Sequence, residues 1–185
     1  MSYYCLYLQY RSSCGQYLRR NKMPIIYKSI RIGKNGKPFY LYKLRTMIEG
    51  SDKDQFSAGE DDPRVTKAGR ILRKYKLDEL PQLINVLKGE MALVGPRPEV
   101  PKFIEKMTQR ERDIILSVKP GITDLASLWN FDEGVILKGS KDPDKDYEEK
   151  IWPEKKKLQI EYIKNRTFLL DVQILWKTVG RLLRR

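Results

Sequence analysis

The chain has 185 residues and carries 37 Lys and Arg against 24 Asp and Glu, a net charge of +13. This is material for one domain of ordinary size, and the charge predicts an anionic partner: nucleic acid, a phosphate-bearing substrate or an acidic membrane surface. His is absent, which excludes Ser-His-Asp and Cys-His mechanisms, His proton shuttles and His metal sites, so any acid, base or nucleophile is another side chain.

Met1 to Arg20 are rich in Tyr and follow neither a helical nor a strand period. Cys5 and Cys14 lack CxxC partners, which argues against a zinc ribbon or a disulfide scaffold. From Ile25 to Arg45 two apolar runs flank Asn35-Gly36, the pattern of a hairpin, because both turn residues tolerate positive φ. Alternation in the second run puts Tyr40, Tyr42 and Leu44 on one face and Lys43 and Arg45 on the other. Residues 49–64 are polar and punctuated by Gly and Pro, predicting a mobile loop. A short basic helix is expected over 68–76. Leu80, Leu83, Ile84 and Leu87 then follow the i, i+3, i+4, i+7 spacing of an amphipathic helix with Gly89 just past its end.

A short apolar strand over 91–94 runs into Gly95-Pro96-Arg97-Pro98. Thr108 and Glu111 form a capping-box pattern for a helix ending near Val118, before Lys119-Pro120-Gly121 breaks the chain. Residues 138–153, charged and interrupted by Pro, are expected to form a surface excursion. In the final stretch Phe168, Val172, Leu175, Val179 and Leu182 share one helical stripe, with Leu169, Trp176 and Leu183 beside it. These elements predict an α+β fold: a compact, mainly helical domain with a small β-hairpin and amphipathic interfacial helices. Residues 1–20 form an unassigned segment and 21–185 a single domain. Positive charge is concentrated at the chain's two ends: residues 151–185 alone carry nine basic and three acidic side chains.

Chemistry concentrates at Lys76-Leu77-Asp78-Glu79-Leu80-Pro81-Gln82. Pro81 fits only the first turn of a helix, so Asp78 and Glu79 lie at its start, where they serve either as caps or as an anionic nucleophile and its neighbour. Arg73, Lys74 and Lys76 surround the pair, and Arg97 is presented from a stiff strap because both flanking prolines restrict the backbone. Two adjacent carboxylates facing a diphosphate call for a divalent cation, Mg²⁺. Lys43 and Arg45 are either the wet face of the hairpin or further phosphate contacts. No P-loop or Gly-x-Gly-x-x-Gly pattern occurs, so phosphate binding would rest on side chains.

Four strings, Arg31-Ile-Gly-Lys-Asn-Gly-Lys-Pro-Phe39, Tyr42-Lys-Leu-Arg-Thr-Met47, Leu77-Asp-Glu-Leu-Pro-Gln-Leu83 and Leu93-Val-Gly-Pro-Arg-Pro98, resemble in order and spacing the bacterial sugar transferases, the small monotopic phosphoglycosyltransferases. Lys119-Pro-Gly-Ile-Thr-Asp124 and the Asn165 to Asp171 segment extend the resemblance over about residues 24–185. It implies transfer of a sugar 1-phosphate from a UDP-sugar donor to a polyprenyl phosphate acceptor, the first membrane step of a bacterial glycan, at the cytoplasmic face of the inner membrane. Asp78 would be the nucleophile of a phospho-aspartyl intermediate, and Glu79 the dyad residue associated with Mg²⁺. Lys43, Arg45, Arg73 and Arg97 would contact phosphate and nucleotide. Met1 to Arg20 do not resemble the apolar membrane helix that precedes this region in the family. Membrane contact is therefore expected from the basic ends and the C-terminal helix, with Trp176, Arg181, Arg184 and Arg185 suiting an anionic interface. Two competing readings are a catalytically silent, membrane-surface remnant of such a transferase and a basic helix-turn-helix domain that binds nucleic acid. The enzyme reading carries no nucleic-acid partner.

Overall fold

The computed structural model of the chain describes residues 24–48, 50–51, 59 and 61–184. The hairpin forms as β1 (Ile26–Ile32) and β2 (Pro38–Leu44), paired antiparallel with Ile30 opposite Tyr40. Its turn is a single 3-10 turn in which Asn35 and Gly36 take φ of 57° and 73°, the positive values that the Asn-Gly pair predicts. Most of the expected loop over 49–64 lies outside the described residues, and so does the segment 1–20.

Thr66 caps α1 (Lys67–Lys74) by accepting the Gly69 N–H at 2.9 Å. A 3-10 turn over Leu77–Glu79 follows, then α2 (Gln82–Leu87), so the expected helix is split at Pro81. Strand β3 (Ala92–Val94) pairs in parallel with β4 (Gly121–Thr123), a partner the sequence reading missed. A Cβ on Gly121 would lie 2.1 Å from the Gly95 amide nitrogen, so the chain segments approach this closely only with glycine there. Between these strands lie α3 (Pro101–Glu105) and α4 (Gln109–Ile115). Helix α4 begins with the full Thr108–Glu111 capping box. Four more helices complete the described chain before the last one: α5 (Leu125–Trp129), α6 (Glu133–Ile136), α7 (Pro143–Asp146) and α8 (Trp152–Asn165). A wide π-type turn over Tyr147–Ile151 precedes α8, and α9 (Phe168–Leu183) closes the fold. The architecture is α+β, mainly helical, with two small sheets.

One expectation about burial is overturned, and two amphipathic helices turn their apolar faces outward. Residues 138–153 are not a surface excursion: Tyr147, Ile151 and Trp152 join Leu137, Val100, Phe103, Ile104, Met107 and Ile115 in the largest core cluster. Phe103 packs there at ring-centroid distances of 5.2 Å from Tyr147 and 5.3 Å from Trp152. On α2 the apolar stripe Leu80, Leu83, Ile84 and Leu87 faces outward, with Leu87 88% exposed, whereas Gln82 and Asn85 are buried. On α9 the single fully buried position is Ile174, which packs with Val94, Leu128 and Tyr162, while Phe168, Leu169, Trp176, Val179 and Leu183 are exposed. Periodicity identifies an apolar face but not what covers it. Among the described residues no helix is long and apolar enough to cross a membrane.

Candidate active site

Four elements converge on the Asp78-Glu79 pair. After α1 ends, Lys76 takes a left-handed conformation (φ 54°, ψ 20°), rare for a side chain of this kind, which turns the chain into the 3-10 turn that carries the pair. Lys43 comes from β2, where it shares a face with the buried Leu41, so its side of the strand is the inner one and Tyr40 is on the wet side. Arg97 comes from the proline-flanked strap that follows β3. Arg73, in the last turn of α1, donates from Nε to Thr46 Oγ1 at 3.0 Å. Helix α1 comes this near because residue 69 is glycine: a Cβ there would lie 2.1 Å from the Thr46 carbonyl oxygen.

Glu79 is fully engaged. Arg97 meets its carboxylate through both terminal nitrogens, one at 3.1 Å from Oε2, and Lys43 Nζ lies 3.1 Å from Oε1. Burial raises the Glu79 pKa, but Arg97 and Lys43 outweigh it and hold the carboxyl well below its usual range. Asp78 is 7% exposed, and its Oδ1 is buried with no hydrogen-bond partner among the described residues. Burial dominates there and, with the charge of Glu79, pushes the Asp78 carboxyl up against the opposing pull of Lys43, Arg73 and Lys76. Burial also depresses Lys43, Arg73 and Lys76. The result is one carboxylate neutralised by salt bridges beside another that is surrounded by cations but bonded to none of them at Oδ1.

Asp78, Glu79, Lys43, Arg73 and Arg97 are thus brought together, and Arg45 is not. Its Nε donates to the Pro24 carbonyl at 3.1 Å and its guanidinium stands over the Tyr27 ring. Of the basic group at the C-terminus, Arg181 is docked on the Leu128 carbonyl and over the Phe131 ring, and Arg185 lies outside the described residues. Sequence reasoning missed Thr46, Gln82 and Asn85. Gln82 and Asn85 stand three apart inside a leucine-rich helix, a polar stripe that marks the inner face once the apolar one is known to point outward.

Among the described residues no group of three or more carboxylate, Cys or His ligands gathers around one point. A magnesium ion commonly takes only one or two carboxylates and completes its shell with water and substrate phosphates. The unpartnered Asp78 Oδ1 fits that role, whereas Glu79 fits it only after Arg97 and Lys43 have moved to another anion.

Over residues 12–185 the chain matches the family described as bacterial sugar transferase, beyond the stretch that carries the four motifs. It is 40% identical over 164 residues to the uncharacterized sugar transferase EpsL of Bacillus subtilis, covering 86% of this chain and 70% of that protein. It is 37% identical over 196 residues to the undecaprenyl-phosphate galactose phosphotransferase of Salmonella typhimurium, covering 97% of this chain and 36% of the relative. A third relative, the UDP-glucose:undecaprenyl-phosphate glucose-1-phosphate transferase of Escherichia coli, is 37% identical over 159 residues, covering 84% of this chain and 32% of its own length. The chain therefore spans about a third of the length of these last two relatives. Matched along nearly all its length, the chain belongs to the bacterial sugar transferase family.

Proposed function

We propose that the protein transfers a sugar 1-phosphate from a UDP-sugar to a polyprenyl phosphate, with Asp78 as nucleophile. The observation that carries this reading is the buried, unpartnered Asp78 oxygen within a ring of cations. An Asp78 oxygen attacks the phosphorus that bears the sugar, and the bond from that phosphorus to the bridging oxygen breaks, releasing UMP. An oxygen of the lipid phosphate then attacks the same phosphorus and expels the Asp78 carboxylate, giving a polyprenyl diphosphate sugar. Arg97 and Lys43 leave Glu79 for the incoming diphosphate, and Arg73 adds a further positive charge. Asp78 and the freed Glu79 would hold Mg²⁺, which when bound would supply positive charge to offset the donor phosphates.

The acceptor is a lipid, and the outward apolar faces of α2 and α9 suit attachment to an anionic membrane surface at the cytoplasmic side of the inner membrane. The leucines on α2 also favour this reading over a helix-turn-helix, whose recognition helix presents polar side chains to the groove. The test is to incubate the full chain with Mg²⁺, polyprenyl phosphate and a panel of UDP-sugars while measuring nucleoside monophosphate release. Wild type releases UMP with one or more donors, and Asp78→Asn, which keeps the shape but is a far poorer nucleophile, releases none. Wild-type rates in Asp78→Asn without deamidation would remove Asp78 from the chemistry. No release by wild type with any donor would support the silent remnant instead.

A further inference from the structure

Lys43 reaches the dyad from β2, which among the described residues belongs to a two-stranded sheet. The Arg45 N–H bonds the Ile25 carbonyl at 2.8 Å, so odd-numbered residues of β2 direct their backbone groups toward β1. Antiparallel alternation then points the N–H and C=O of Tyr40 and Tyr42 at the other edge of β2, where no strand among the described residues meets them. Asn85 of α2 fills that place. Its Nδ2 donates to the Tyr40 carbonyl at 2.7 Å, and its Oδ1 accepts the Tyr42 N–H at 3.2 Å, so the side-chain amide stands in for one peptide unit of a missing strand. The same Nδ2 donates to Glu90 Oε2 at 2.7 Å, and the Asn85 carbonyl accepts the N–H groups of Glu90 and Met91 at 3.0 and 3.2 Å. The residue is 0% exposed.

We propose that Asn85 is a positioning residue of the transfer reaction: it clamps this edge of β2 to the helix behind the dyad and thereby sets where Lys43 stands relative to Asp78 and Glu79. Tyr42 immediately precedes Lys43, and α2 follows the dyad's 3-10 turn after Leu80 and Pro81, so one amide joins the two chain segments that must agree for the 3.1 Å Lys43–Glu79 contact to form. Both segments could fold as hairpin and helix without it; the other tie between them, the Lys88 ammonium on the Tyr42 hydroxyl at 2.8 Å, is exposed and holds no backbone group, and misplacement of about 1 Å in a catalytic group costs on the order of 100-fold in rate.

The inference rests on the proposed reaction for its kinetic arm and on the free protein for its second arm. In the first, kcat/KM for UMP release is measured for Asn85→Ala, Lys43→Ala and the double variant. Asn85→Ala is expected to lose at least tenfold, and the double variant to fall no further than the weaker single variant, because Lys43 is the group Asn85 places. Thr108→Ala, which removes a remote helix cap, serves as a control that loses stability with kcat/KM unchanged. In the second arm, amide hydrogen exchange of the free protein is expected to speed up at Tyr42 in Asn85→Ala. If Asn85→Ala does not fold, Asn85→Leu carries both comparisons: it keeps about the size of the side chain but offers neither the acceptor for Tyr42 nor the donor to Tyr40. Wild-type kcat/KM, losses that add up in the double variant, or unchanged exchange at Tyr42 each overturn the proposal. If wild type itself releases no UMP, the proposed reaction fails, and the exchange arm by itself decides whether Asn85 clamps the strand.

Discussion

A carboxylate that attacks phosphorus has to be ionised and yet free of a tight partner, and the two neighbours Asp78 and Glu79 divide these conditions. Glu79 takes both salt bridges and is held in its charged form, while Asp78 is buried with its pKa raised. A group whose pKa is raised on folding contributes stability below its unfolded value, near 3.9, and loses it as pH rises through the folded value. At neutral pH the buried Asp78 charge is therefore a cost to the fold, so Asp78→Asn is expected to melt higher than wild type at pH 7, with the difference shrinking as pH falls through Asp78's folded pKa. Equal melting temperatures across that range would refute the raised pKa. Lys43 is the foremost of the cations that pull the Asp78 pKa down. Lys43→Ala is accordingly expected to shift the acid limb of the kcat profile to higher pH as well as to slow turnover. A pH–rate series on both proteins measures the shift, and an acid limb at unchanged pH would detach Lys43 from Asp78.

At the scale of single elements, α2 inverts the usual helix pattern. Its buried side holds Gln82 and Asn85, and its outer side holds leucines and isoleucine next to the dyad, with α9 presenting a second apolar face that includes Trp176 and an 86%-exposed Phe168. Exposed apolar groups add little to folding but insert into a bilayer interface. Replacing Leu83, Ile84 and Leu87 together by Ser is expected to change thermal stability little while releasing the protein from anionic vesicles at about 0.5 M NaCl, where the Debye length is roughly 4 to 5 Å and basic attraction is screened. Wild type, held also by its apolar faces, stays partly bound. Cosedimentation of wild type and variant at low and high salt makes the comparison, and identical salt curves would show that α2 does not touch the membrane.

For the molecule as a whole, stability resides away from the dyad, in the cluster where Phe103, Tyr147, Ile151 and Trp152 meet. Ile151 is 0% exposed, so Ile151→Ala is expected to cost about 2 to 5 kcal/mol. Urea unfolding reads this out, and a loss below about 0.5 kcal/mol would return the 138–153 stretch to the surface that its charge pattern suggests. The sequence by itself determined the features set by local rules. The hairpin followed from the positive φ of Asn35-Gly36, and the start of α4 from reciprocal Thr108–Glu111 capping. The dyad and its cations were legible as motifs, since their residue types and order survive in one dimension. Tertiary structure alone decided which face of each element turned inward, because a periodic stripe looks the same whether protein or solvent covers it. It also decided that Arg45 stays on Tyr27 and that β3 pairs with β4 across an intervening pair of helices. It was again tertiary contact that made Asn85 the partner of Tyr40 and Tyr42, because a side-chain amide meets a strand more than 40 residues away only when helix and sheet are packed.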